Sequence, residues 1–158
     1  VMEGGIRVPL FMQWPAMFPV GKVYERPVIS LDILPTALSA AGGTVPETVR
    51  LDGTDLVPYI TKKKRGEPHD ALFWAWNTQN VIRAGKWKLV VSDDGEHLYN
   101  VEKDPAETTD LAGEEPVRVK RLRKPLDAWA SELQPPLWKG RVPGKKKYPL
   151  KKNRPKKS

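Results

Sequence analysis

Four runs decide the fold: Ala71-Leu72-Phe73-Trp74-Ala75-Trp76, Asn80-Val81-Ile82-Arg83, Lys86-Trp87-Lys88-Leu89-Val90-Val91 and Glu96-His97-Leu98-Tyr99-Asn100. Each is short and rich in β-branched or aromatic residues. Between them stand Asn77-Thr78-Gln79, Ala84-Gly85 and Ser92-Asp93-Asp94-Gly95, all of turn composition. The gaps leave no room for a crossover helix, so the runs predict an antiparallel four-stranded meander. Such a sheet needs one face covered. The cover is predicted downstream, where Leu122, Leu126, Trp129 and Leu133 form one apolar stripe of a helix. Pro125 predicts either a kink or a fresh start near Lys124, and Pro135-Pro136 ends the pattern. Helix on meander makes an α+β unit of roughly seventy residues, small but able to bury a core.

Upstream the pattern is different. Glu3-Gly4-Gly5-Ile6-Arg7-Val8-Pro9, continuing through Leu10-Phe11-Met12-Gln13-Trp14-Pro15, reads as a tight Gly-Gly turn feeding a buried strand. A domain rarely opens on its most buried strand, so residue 1 is expected to be a cut rather than a start. Ser30 to Gly42 predicts a short helix with Asp32 as N-cap, Pro35 in its first turn and Gly42 as its stop; Leu34, Leu38 and Ala41 share a face. Leu51-Asp52-Gly53 is a turn, and Thr54 or Asp55 caps a helical piece through Leu56 and Tyr59. One strand and two short helices cannot close a core, so residues 1–66 are expected to be the edge of a larger, incomplete domain, followed by the compact unit at 67–136 and a tail at 137–158.

The net charge of +8 is unevenly placed. From Lys139 to Ser158 there are ten Lys and Arg and no acid, against 17 basic and 19 acidic residues before them. The tail, with Lys145, Lys146, Lys147, Lys151 and Lys152 among its cations and Pro143, Pro149 and Pro155 as spacers, is expected to be disordered. It suits polyanions without sequence preference, and a near-neutral remainder argues against a specific nucleic-acid protein. The absence of Cys excludes a disulfide framework, a thiolate metal site and a cysteine nucleophile. No run approaches the ~18 apolar residues of a membrane span.

In this order the motifs resemble the C-terminal third of an arylsulfatase-type sulfatase. They are Glu3-Gly4-Gly5-Ile6-Arg7-Val8-Pro9 with Trp14-Pro15, Asp32-Ile33-Leu34-Pro35-Thr36 and Leu51-Asp52-Gly53. Val81-Ile82-Arg83 with Lys86-Trp87-Lys88-Leu89 follows, then Leu98-Tyr99-Asn100-Val101 with Asp104-Pro105-Ala106-Glu107 and Asp110-Leu111. The resemblance implies a large α/β domain of the alkaline-phosphatase-like type, whose last strand and helix this chain carries, and a small antiparallel sheet packed by a helix. It implies hydrolysis of a sulfate ester by a formylglycine nucleophile beside calcium, and a secreted or periplasmic protein. The formylglycine arises from Cys or Ser in a Cys/Ser-x-Pro-x-Arg motif, and none of the five Ser here opens one. The catalytic residues, metal ligands and sulfate-binding Lys of the family are therefore expected in a missing N-terminal catalytic domain, and this chain alone is expected to be inactive.

Site candidates follow from position. Glu3 and Arg7 flank the Gly4-Gly5 turn near the family's active site, although a structural ion pair is the simpler use of both. His69, in the loop entering the small sheet, is a candidate for a substrate pocket. His69 and His97 stand apart with no third ligand pattern, so a zinc site is not expected. Trp74, Trp76 and Asn77 end the first strand of the meander; the tryptophans suit stacking on a sugar or aryl ring, and burial beneath the helix is the plainer alternative. A binding module gripping sulfated glycans or other polyanions through the tail is the competing reading.

Overall fold

The computed structural model of the protein describes residues 1–134. Strands β1 (Leu72–Trp76), β2 (Gln79–Ala84), β3 (Trp87–Ser92) and β4 (Gly95–Asn100) form one antiparallel sheet in the order β1-β2-β3-β4. Register follows from two-residue hairpins. Trp76 pairs with Gln79, Ala84 with Trp87 and Ser92 with Gly95, and Asn77 and Gly85 take the positive φ that such tight turns require.

One face of the sheet carries the row Phe73, Ile82, Leu89, Leu98. Against it packs helix α4 (Pro116–Ser131), which buries Val119, Leu122 and Leu126 in a core with Ile82, Leu89 and Leu98. Trp129 stacks on Phe73 with ring centroids 5.2 Å apart. Arg118 lies over the Trp87 ring at 4.1 Å and shields its edge of the core. The helix does not restart at Lys124. It begins at Pro116, whose missing N–H is an orphan of the first turn anyway, and runs unbroken past Pro125 on its solvent side. Leu133 lies beyond its end and is exposed.

The opposite face is buried as well, which corrects the expectation of a sheet covered once. Leu72, Val81, Lys88 and Val90 point there, and all four are buried. Trp74 and Trp76 lie on this second face too, so neither is tucked beneath α4.

The segment before the sheet also departs from expectation. Residues 3–6 form a single helical turn, α1 (Glu3–Ile6), closed by Gly5 N–H to the Met2 carbonyl and Arg7 N–H to the Glu3 carbonyl. No strand follows. A strand exists only by pairing, and no described edge pairs with residues 7–15. Their apolar side chains stay in water instead, Phe11 at 88% exposure. Helix α2 (Ile33–Ala40) is present, preceded by a 3₁₀ turn over Ser30–Asp32. It buries Pro35 and Thr36, while Leu34 is exposed. Thr36 Oγ1 accepts the Leu56 N–H at 3.0 Å and so ties α2 to α3 (Val57–Ile60), whose first N–H is met by Asp55 Oδ1.

Candidate functional site

A groove of about 510 Å³ runs between the irregular segment 6–28 and β1. Glu3, Arg7, Trp74 and Arg83 line one end, and Phe11, Tyr24 and Leu56 continue its wall. Three sequence-predicted residues thus converge from two distant stretches. Trp74 arrives by strand alternation and Arg7 by the α1 turn. Burial lifts the Tyr24 phenol pKa above its ordinary value, against the opposing charge of Arg26, and its hydroxyl has no partner among the described residues.

Beneath that end lies a set of buried charges. Lys88 reaches up from β3 with its side chain closed to solvent. Its ammonium donates to the Val1 carbonyl at 2.7 Å and to Glu3 Oε1 at 3.2 Å. It also stands 2.8 Å from Glu107 Oε1, at an angle outside hydrogen-bond geometry. Arg83, opposite Lys88 in the register, donates to Glu3 Oε2 at 3.3 Å. Glu107 Oε2 accepts the Glu3 N–H at 2.6 Å. Two carboxylates and two cations balance, as charges taken out of water must. Glu3 therefore pairs with the sheet rather than with Arg7.

The other predicted residues lie elsewhere. Gly4 and Gly5 are exposed on α1 with ordinary φ, and a Cβ on either meets nothing within 4 Å, so no conformation closed to other residues is used there. His69 does not line the groove; its Nε2 lies 2.8 and 2.9 Å from the two oxygens of buried Asp32. Asp32 also accepts Ile29 N–H and Thr54 N–H and so joins three segments, while, against expectation, its side chain makes no cap hydrogen bond to α2. His97 shares a hydrogen bond with Asp110 at 2.8 Å. Trp76 is exposed at the hairpin beside Asn77. Lys145, Lys146, Lys147, Lys151 and Lys152 lie outside the described residues. Arg83, Lys88 and Glu107 stand in the quoted motifs but not among the site candidates. For Lys88 the sequence carries a further signal: it shares a face with Val90 opposite Leu89, which places a charge on a strand apolar on both sides.

The N-sulphoglucosamine sulphohydrolase C-terminal family model matches residues 1–133. The chain belongs to this sulfatase family. It is 36% identical over 85 residues to human steryl-sulfatase, covering 54% of this chain and 14% of that protein. To the choline-sulfatase of Rhizobium meliloti it is 38% identical over 116 residues, covering 70% of this chain and 22% of the relative. Among solved structures it is similar to Ps i-CgsB, also crystallised with k-i-k-neocarrahexaose, with a TM-score of 0.68 and 28% identity over 80% of this chain and 29% of that one. The chain thus spans less than a third of each of these sulfatase-family relatives and similar structures.

The calcium and formylglycine implied for a complete sulfatase do not fit the described residues. No three His, Asp or Glu side chains among them are placed to hold a metal. The two buried carboxylates beside the groove are occupied, Glu3 by Lys88 and Arg83, Glu107 by Lys88 and the Glu3 N–H.

Proposed function

We propose that this chain is the C-terminal part of a sulfuric ester hydrolase, forming one wall of its substrate groove without supplying nucleophile or metal. The observation that carries this reading is the family match over residues 1–133, which contains every residue of the groove. Cleavage of a sulfate ester gathers negative charge on the leaving oxygen, and preorganised cations in a water-poor site stabilise it. Arg7 and Arg83 are among the four cations that line the groove, with Lys22 and Arg26, and Trp74 offers a flat apolar face to a sugar or aryl ring. The nucleophile, calcium and sulfate-binding Lys belong, in this proposal, to a catalytic domain N-terminal to these residues, and the whole enzyme works in the periplasm or outside the cell.

The test is sulfate release from an aryl sulfate. The purified 158-residue chain is expected to release none above a boiled control, and the same chain joined to a domain bearing a Cys/Ser-x-Pro-x-Arg motif is expected to turn over. Release by the 158 residues alone overturns the reading.

A second role rests on the ten cations and absent acids of residues 139–158. That tail grips sulfated glycans or other polyanions by charge, with strong salt dependence. Heparin retention that survives deletion of 139–158 removes this role.

A further inference from the structure

We propose that Glu107 and Lys88 are positioning residues that clamp the Glu3–Arg7 turn to the sheet and so set the place of Arg7 in the groove. The inference stands on this chain's geometry, whatever reaction the groove serves.

Helix α1 is four residues long with no side-chain cap of its own. A single turn of that length does not persist in water unaided. Its first N–H, from Glu3, is satisfied by Glu107 across 104 residues of chain, and its only acidic side chain is satisfied by Lys88 and Arg83. Arg7 closes the turn through its N–H to the Glu3 carbonyl at 2.9 Å and enters the groove from there.

Glu107 occupies a backbone conformation that a glutamate rarely takes, with φ +57. Asp104 holds it so: its carboxylate accepts Thr108 N–H at 2.8 Å and Thr109 N–H at 2.9 Å, and the Thr108 hydroxyl at 3.1 Å. An Asp-Pro-x-Glu turn serving only to change direction leaves its glutamate in water. Here the strained residue aims its carboxylate inward, where it is buried against Lys88 and the Glu3 N–H. Strain of this kind persists where neighbours over-determine it, and it collects at functional sites.

The test is amide hydrogen exchange on the full chain, comparing Glu3, Gly5, Ile6 and Arg7 with β2 and β3. Glu107→Gly removes the carboxylate while relieving the backbone, so a turn that is merely structural gains or keeps protection everywhere. The clamp predicts instead that exchange at residues 3–7 rises by about tenfold, the worth of a lost buried hydrogen bond, and rises more there than in β2 and β3, where Lys88 loses one of its two carboxylates but keeps Glu3. Glu107→Gln, which keeps an acceptor for the Glu3 N–H but drops the charge facing Lys88, is expected to fall between wild type and Glu107→Gly. Unchanged protection at residues 3–7 in both variants overturns the proposal, and so does an equal loss across turn and sheet.

Discussion

Glu3 and Lys88 lie 85 residues apart in sequence and 3.2 Å apart in space, each side chain closed to solvent. The pair joins the first turn of the chain to the middle of the sheet. Because Glu107 approaches the same ammonium, the lysine is shared between two carboxylates that would otherwise repel. Removing one partner of such a set costs far more than the set contributes relative to an apolar core.

Lys88→Ala is therefore expected to destabilise the chain by about 3–5 kcal/mol, since two buried carboxylates are left with Arg83 alone. A lowered urea midpoint checks it. Glu3→Ala added to Lys88→Ala is expected to cost less than the two single changes summed, because the first already breaks the contact that the second removes.

Gly53 and the Gly4-Gly5 pair make opposite predictions. A Cβ at Gly53 would sit 2.0 Å from the Leu31 carbonyl oxygen and 2.8 Å from the Asp32 nitrogen, both backbone atoms. Gly53→Ala is expected to cost about 1–3 kcal/mol through forced backbone movement beside the Asp32 hub. Gly4→Ala and Gly5→Ala meet nothing and lie in a helical turn, where alanine is favoured by about 0.5–1 kcal/mol. Thermal midpoints of the three variants should move down, up and up.

The contrast shows what the sequence could carry. The four strands are legible to within a residue or two because alternation and turn residues are local. The α4 stripe is legible at Leu122 and Leu126, and its start at Pro116 was open to reading from a proline that follows Glu114-Glu115. Residues 6–15 read as a strand because they are apolar, but pairing is a property of neighbours, and none of the described residues supplies an edge. The groove was half legible: Glu3, Arg7 and Trp74 drew notice by type and place. Lys88 and Glu107 stand in the quoted motifs but do not read as site residues, since their burial follows from the sheet being covered twice, and that depends on contacts across the whole chain. The demand for glycine at 53 is equally long-range, set by the passing backbone of Leu31.

Acid should loosen the loop that aims Glu107. Asp104 has its pKa held below the ordinary 3.8, chiefly by the Thr109 N–H and further by the Thr108 hydroxyl and N–H. For Asp110, burial pulls the pKa upward, but N–H donors from Ala112 and Leu98, with His97, outweigh it and leave the net shift downward. An aspartate depressed in the folded state adds stability above its unfolded value and loses it as pH falls through the folded one. The urea midpoint should therefore hold from neutral pH to about 5 as far as these groups act, then decline through and below the ordinary aspartate range. Asp110→Asn is expected to lower the neutral plateau and flatten the acid slope.

Pro125 is the remaining local conflict. It sits inside α4, on the exposed side, where it withholds the N–H that would bond the Arg121 carbonyl. A proline in a helix interior costs about 3 kcal/mol relative to alanine when the helix cannot adjust. Here Leu122 and Leu126, one turn apart on either side of it, are both buried against the sheet, so packing carries the helix across the break. Pro125→Ala restores the bond without touching that face and is expected to stabilise the chain by about 1–3 kcal/mol, seen as a raised thermal midpoint. A midpoint that falls instead would mean that the proline holds a bend which the packing of Leu122, Leu126 and Trp129 requires.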